Sequence, residues 1–270
     1  MNLLIIGQGA WASKIQSALS NSTSGIQTTS ISARIALKDP PRLDKAVQNS
    51  DAIWICTKPD WQLELLPKLS SFSGKLILEK PYIFDENSMD RFTEFTRIFK
   101  GVLQLSEPWT FSNIWSSAKK EIRETSNVEF IVERGGSTGH NFMSAVMDWL
   151  PHDINLLFDL YGIELLKSEV SNIHWKGNRS ELEFQISMGT ECSFLFRVGN
   201  FEGNRVAFWE SKALNINFLN STLTRGLSEE HVNQDINPFI LQINSNVKNS
   251  VVRTQNQLEV QNYFFYKLLI

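Results

Sequence analysis

Leu3-Leu4-Ile5-Ile6-Gly7-Gln8-Gly9-Ala10-Trp11-Ala12 is the stretch whose reading decides the fold. Four aliphatic residues make a short buried strand and break into Gly7 and Gly9. Beyond the glycines, Trp11, Ile15 and Leu19 fall at helical spacing. Strand, glycine turn and helix start is the layout of a dinucleotide-binding loop, where free N–H groups and the helix dipole meet a pyrophosphate. Gly7 is expected to make the tight turn and Gly9 to let the pyrophosphate approach the backbone. Ala12, in the place of a third glycine, is expected to let helix and strand pack closely, with Gln8, Ala10 and Trp11 completing the loop. The competing reading is an ordinary strand–helix turn that contains two glycines, so the loop needs support from elsewhere in the chain.

Working outward, residues 26–32, 52–56, 75–78 and 102–105 read as further short strands. Helix-length segments separate them: 42–48, a segment marked by Leu63, Leu66 and Leu69, and 86–99. Buried strands alternating with helices argue for a parallel sheet covered on both faces. After about Pro108 the pattern changes. Ile114, Ala118 and Ile122 mark a helix, 128–132 a strand, and 134–140 a glycine-rich loop. From about Glu169 the period becomes two, in Leu182/Phe184/Ile186/Met188, Phe194/Phe196/Val198, Val206/Phe208 and Leu214/Ile216/Phe218. That alternation suits an antiparallel sheet with one face on a core and the other toward water or a partner. Helices are expected at 238–247 and 255–269. The expected fold is α/β: a Rossmann-type domain over residues 1–107, then an α+β domain over 108–270 built on a mostly antiparallel open sheet.

Composition narrows the function classes. The chain of 270 residues is 42% hydrophobic and 20% charged, ordinary for a globular protein. A net charge of -3 gives no electrostatic case for nucleic acid or an anionic membrane. No apolar run approaches the ~20 residues that span a bilayer, and the first residues carry no secretion signal, so a cytoplasmic protein is expected. Cys56 and Cys192, the only two cysteines, make neither a disulfide framework nor a metal-ligand spacing, and no metal is expected.

Glu79-Lys80-Pro81 directly follows the fourth strand. The glycine loop precedes it, Thr57-Lys58-Pro59-Asp60 follows the third strand, and Asp148-Trp149-Leu150-Pro151-His152-Asp153 comes later. With these motifs in this order the chain resembles the glucose–fructose oxidoreductase/inositol dehydrogenase family, called Gfo/Idh/MocA. The resemblance implies an NAD(P)-dependent oxidoreductase that moves a hydride to or from a hydroxyl or carbonyl carbon of a sugar, polyol or sugar derivative. It implies that Lys80 sits beside the nicotinamide and hydrogen-bonds the oxygen of the reacting carbon. Asp148 and His152 would face the same oxygen, with His152 moving the proton. Cys56, Thr57, Lys58 and Glu79 would join the glycine loop in holding the cofactor. The chemistry is sound in its own right, because hydride transfer requires proton movement on oxygen, and imidazole suits that near neutral pH. A lysine ammonium stabilises alkoxide character.

Local sequence supports a shared site. Leu150, Ile154, Leu157, Phe158 and Tyr161 define one apolar helix face. Proline is best tolerated in a first turn, so Pro151 predicts a helix beginning near 148–150, with Asp148 as its cap. His152 would then lie in the first turn, where the helix dipole keeps it neutral. Taken singly, Asp148 reads as a cap, His152 as a polar interface residue and Lys80 as a solvated turn residue. Their joint placement at the family's positions makes them catalytic candidates.

Departures from the family pattern bear on the pocket. Residues 142–147 replace a glycine-rich run, and Gln62 stands where the family often has histidine. The second strand ends in Ile31-Ser32-Ala33-Arg34, with no carboxylate to select a ribose hydroxyl. Ser32 and Arg34, with Lys58 nearby, suit a 2′-phosphate, so NADP is expected over NAD. On the competing reading Arg34 simply points into water. Trp109 and Trp149 are candidate aromatic walls of a substrate pocket, and Asn113 and Arg134 candidate donors to a small-molecule substrate. The rival functions are an imine or small keto-compound reductase on the same scaffold and a non-catalytic dinucleotide-binding regulator. The outward face of the second sheet is a candidate surface for a homo-oligomer.

Overall fold

Strand and helix alternate through the first part of the computed structural model, which describes residues 1–22, 25–125, 128–137, 144–189, 192–201, 205–245 and 250–269. The order is β1 (Asn2–Ile6), α1 (Ala10–Ser20), β2 (Gln27–Ile31), α2 (Ala33–Lys38), α3 (Pro40–Gln48) and β3 (Ala52–Ile55). It continues through α4 (Pro59–Leu65), β4 (Lys75–Leu78), α5 (Glu86–Ile98) and β5 (Val102–Leu105). Leu3, Leu4, Ile5 and Ile6 of β1 and all of β3 are fully buried, because a parallel strand covered on both faces has no solvent side. The strands pair in parallel in the order β2-β1-β3-β4-β5. Register sets Ile6 opposite Ile31 and Ile55, and Leu78 opposite Ile55 and Leu105, so the carboxyl ends line one edge. The strand order reverses between β1 and β3, where such sheets leave a crevice beyond their carboxyl ends. Helix α2 has no counterpart in the sequence reading. It is a single short turn-and-a-half that buries Ala33 and Ala36, too brief to show a period.

The second sheet follows. Ser112 caps α6 (Asn113–Glu124), then come β6 (Val128–Gly135) and α7 (Ala145–Tyr161). Seven strands complete it: β7 (Glu169–Lys176), β8 (Glu181–Met188), β9 (Cys192–Gly199), β10 (Val206–Glu210), β11 (Leu214–Asn217), β12 (Thr222–Arg225) and β13 (Ser228–His231). The eight strands run in the order β13-β12-β11-β10-β6-β9-β8-β7, and all pairs are antiparallel except β6 with β9. A parallel sheet followed by a mostly antiparallel one is the expected fold class. Leu182, Phe184 and Ile186 of β8 and Phe194, Phe196 and Val198 of β9 are buried, while the residues between them keep partial exposure. Helix α7 packs on this face against β6, β8 and β9. Strand β6 runs further than expected, because Arg134 and Gly135 continue its pairing with Val198 and Gly199 of β9 and with Ala207 and Val206 of β10. The rest of the expected 134–140 loop from 138 on, and residues 142–143, lie outside the described residues.

The chain divides into two compact units, Met1–Pro108 with Ile236–Asn262 and Trp109–Asp235 with Tyr263–Ile270. From the sequence alone everything from 108 onward is expected in the second domain. Helix α8 (Pro238–Asn244) and the residues through Asn262 of α9 (Ser250–Leu269) instead belong to the first unit. The reason is packing: Phe239, Ile240 and Ile243 join Ile5, Ile15 and Trp54 in one core, with Phe239 set edge-on to both Trp11 and Trp54. Lys75 at the start of β4 donates to the carbonyls of Gln242, Ile243 and Ser245 at the end of α8. Burial pushes its amine down to about 8. Thr254 of α9 donates to the Leu103 carbonyl at 2.7 Å, and Gln257 to the Glu107 carboxylate at 2.9 Å. The expected end of α8 at Val247 lies outside the described residues. Among the described residues, no helix is long and apolar enough to cross a membrane.

Candidate active site

The two glycines of the first loop are glycine for different reasons. Gly7 has φ 145°, and a Cβ there would stand 2.0 Å from the Cys56 carbonyl oxygen. Its N–H donates to Ile31 at 2.9 Å, while the Cys56 N–H donates to Ile6 at 2.8 Å, so the turn is wedged between β2 and β3. The protein itself therefore forbids a side chain at Gly7. Gly9 is the extended N-cap residue of α1 and makes no side-chain cap, and among the described residues beyond its chain neighbours a Cβ there would meet nothing within 4 Å. The space over Gly9 and the uncapped first turn of α1 fit a phosphate group approaching the backbone. Gln8, Gly9 and Ala10 are exposed, and Ala12 is buried against the sheet as the close-packing residue.

The other expected cofactor residues follow the carboxyl ends of β2, β3 and β4, along the edge that Gly7 begins. Ser32 caps α2 by accepting from the Ile35 N–H at 3.2 Å, and Arg34 is exposed on the first turn of that helix. Cys56 is buried, and burial together with the Glu79 charge holds its thiol above the ordinary range. Thr57 is half-buried. Lys58 is exposed, with its ammonium 5.6 Å from the Trp61 ring centroid.

Glu79 and Lys80 leave the end of β4. Burial pushes the Glu79 carboxyl up, and the side chains of Trp11, Ser106 and Trp54 and the Lys80 charge pull it back down. The Trp54 indole donates to its Oε1 at 2.8 Å. Gln62 of α4 grips the Glu79 backbone from both sides: Nε2 donates to the carbonyl, and Oε1 accepts from the N–H, each at 2.9 Å. Lys80 is half-buried and is joined to Pro81 by a cis peptide bond. The part that Trp54 and Gln62 play is not evident in the sequence. Its only signal is a glutamine at the position where the resemblance breaks.

In the second unit Asp148 and His152 are four residues apart on α7 and share a face, 5% and 8% exposed. The expected cap is corrected. Ser144 caps the helix by accepting from the Met147 N–H at 3.2 Å, so Asp148 already lies within the first turn and Pro151 lies inside the helix. Proline there leaves the Met147 carbonyl without its helical donor, and tertiary packing overrides that local cost. His152 sits about two turns in, beyond the first turn where the terminal dipole acts. Trp149 is next to it, with ring centroids 6.1 Å apart, and its indole donates to the Gly136 carbonyl at 3.2 Å.

The remaining substrate candidates are placed elsewhere in that unit. Arg134 is fully buried and forks onto Asp153, Nε to Oδ2 at 2.9 Å and Nη2 to Oδ1 at 2.8 Å. Trp209 donates to the same carboxylate, and the guanidinium lies 5.3 Å from the Trp109 ring centroid and 5.0 Å from that of Phe218. Arg134 and Trp109 are thus parts of one internal cluster. Asn113 begins α6, where its side chain donates to Asn233 and Asp235 and its N–H to Gln234, tying down the segment that leaves β13. Among the described residues no three His, Cys, Asp or Glu side chains gather as metal ligands.

No protein-family model and no curated protein matches the sequence. Solved structures do match it. UDP-N-acetylglucosamine 3-dehydrogenase from Acidithiobacillus ferrooxidans is 14% identical, with a TM-score of 0.73 over 99% of this chain and 97% of that one. Aldose-aldose oxidoreductase from Caulobacter crescentus, complexed with glycerol, is 12% identical, with a TM-score of 0.73 over 97% and 95%. A 3-ketoreductase variant from Actinomadura kijaniata, in complex with TDP-benzene and NADP, is 10% identical, with a TM-score of 0.70 over 97% and 96%. These neighbours are oxidoreductases of the Gfo/Idh/MocA type. The chain has their fold along nearly its whole length.

Proposed function

We propose that the protein is an NAD(P)-dependent oxidoreductase acting on a CH–OH or C=O carbon of a sugar, polyol or sugar derivative. The observation that carries the reading is the contrast between Gly7, which the fold itself requires, and Gly9, which none of the described residues beyond its chain neighbours crowds. A glycine kept beside open space at a helix start, at the point where strand order reverses, suits a pyrophosphate. The sugar assignment draws on the neighbours, whose names include a nucleotide-sugar dehydrogenase and an aldose oxidoreductase.

The loop 7–12, with Ser32, Arg34, residues 56–58, Glu79 and Lys80, would hold the dinucleotide. When bound, the nicotinamide supplies the carbon that accepts or donates hydride. The Lys80 ammonium holds negative charge on the oxygen of the reacting carbon. His152 takes the proton that a hydroxyl loses on oxidation and returns it to the carbonyl oxygen on reduction. Asp148, on the same helix face, orients the imidazole or the substrate. NADP is the preferred form, because the β2 end offers Ser32 and Arg34 and no carboxylate to repel a phosphate.

The test is cofactor binding followed by turnover. NADPH and NADH are titrated by fluorescence, and nicotinamide absorbance is then followed with a panel of sugar nucleotides, aldoses, polyols and keto-sugars. Lys80→Met is expected to bind cofactor and to lose turnover roughly a hundredfold or more. A wild-type protein that binds neither dinucleotide sinks the proposal. Turnover of imines or small keto acids in place of sugars moves the substrate class to the rival reductase.

A further inference from the structure

We propose that Gln62 is a positioning residue for Lys80, acting through the backbone of Glu79; this rests on the reading of Lys80 as the group that holds the substrate oxygen. Strand β4 ends at Leu78, whose carbonyl accepts from the Ser106 N–H at 2.7 Å on the β5 side. Successive residues of a strand present their backbone groups to opposite neighbours, so the N–H and C=O of Glu79 turn toward β3. The ladder with β3 ends there, at the Ile55–Leu78 pair. β3 stops at Ile55, the Cys56 N–H is already spent on Ile6 of β1, and the chain departs through Lys58 into α4.

The Gln62 carboxamide fills that place. It donates to the Glu79 carbonyl and accepts from the Glu79 N–H, both at 2.9 Å, so that one amide meets both backbone groups of the residue. Gln62 is 1% exposed, so water does not substitute for it. With Trp54 holding the carboxylate at 2.8 Å, Glu79 is fixed by side chain and backbone alike from the β3 side. The next residue is Lys80. Among side chains of this length only a carboxamide offers one donor and one acceptor in the spacing of a peptide unit. Ionised glutamate offers acceptors alone, and methionine matches the length with neither donor nor useful acceptor. If the clamp opens, Glu79 is free to shift, and a displacement of about 1 Å at the lysine it carries is enough to cost roughly a hundredfold in rate.

The experiment reads Lys80 directly in the full-length protein and needs no identified substrate. Lysines are dimethylated with ¹³C-formaldehyde, which keeps their charge, and the Lys80 resonance is assigned from its loss in Lys80→Arg. In Gln62→Met and in Gln62→Glu the Lys80 signal is expected to shift or broaden. The Lys58 and Lys75 signals and the NADPH dissociation constant should stay within about twofold of wild type, as for an effect confined to one loop. Gln62→Glu keeps the size and one acceptor, so it reports if Gln62→Met fails to fold. Once a substrate is in hand, both variants should lower kcat with KM little changed. A Lys80 signal identical to wild type in the folded variants overturns the proposal. Failure of the oxidoreductase reading looks different: wild-type protein that does not bind NADPH.

Discussion

A Cβ on Gly7 would stand 2.0 Å from the Cys56 carbonyl oxygen, while one on Gly9, two residues on, would meet nothing within 4 Å among the described residues beyond its chain neighbours. Gly7→Ala should therefore destabilise the protein by at least about 2 kcal/mol, through collision with backbone and a φ that alanine avoids. Gly9→Ala should change stability by less than about 0.5 kcal/mol and weaken dinucleotide binding at least about tenfold. Denaturant unfolding beside an NADPH titration separates the two. A Gly9→Ala protein with undiminished affinity removes the phosphate from this loop.

Arg34 is exposed at the head of α2, and Ser32 is already engaged as that helix's cap. Arg34→Ala should lower NADPH affinity by roughly tenfold, the scale of one charge-assisted hydrogen bond, and leave NADH affinity unchanged. Equal affinities for both cofactors in both proteins would defeat the assignment of NADP.

Arg134 and Asp153 are both fully buried and joined by two hydrogen bonds of 2.9 and 2.8 Å. Arg134→Met leaves a buried carboxylate whose remaining donor is Trp209, and should cost about 3–5 kcal/mol in unfolding free energy. An Arg134→Met protein of normal stability that has lost only substrate affinity would return Arg134 to the substrate.

Ser144→Ala should cost about 1 kcal/mol by removing the cap of α7, and Ser144→Asp should restore it. Thermal or chemical unfolding of the pair checks this. No loss in Ser144→Ala means the helix start is held by something else.

Burial raises the Glu79 carboxyl above its ordinary 4.5. The folded protein thus keeps this proton to a higher pH than the unfolded chain does. The stability it contributes is complete below about 4.5 and is lost as pH rises through the folded value. Glu79→Gln should flatten that slope. Trp54, hydrogen-bonded to the carboxylate at 2.8 Å, is the reporter. Its fluorescence should titrate with a midpoint above 4.5 in the wild type and not in Glu79→Gln, and a midpoint below 4.5 would reverse the burial argument.

What the sequence determined by itself was the fold class and the edge that carries the cofactor candidates. Buried parallel strands have no polar face, so β1, β3 and β4 are legible as apolar runs, and the exposed alternation of β8 and β9 is legible as period two. Gly7, Ser32, Cys56 and Glu79 each follow a strand directly, and a parallel sheet must bring such residues to one edge. Tertiary structure alone decided which polar groups satisfy one another. Gln62 meets Glu79 across 17 residues, Arg134 meets Asp153 across 19, and Lys75 meets the end of α8 across 167 and more. No local periodicity encodes such partners, because they are fixed by the need to pair every buried donor and acceptor once the core has closed. Packing of Phe239, Ile240 and Ile243 into the core of β1, α1 and β3 returned residues 236–262 to the first unit, and the Ser144 cap starts α7 early, leaving Asp148 and His152 on the buried face of a helix that begins earlier than its proline suggests.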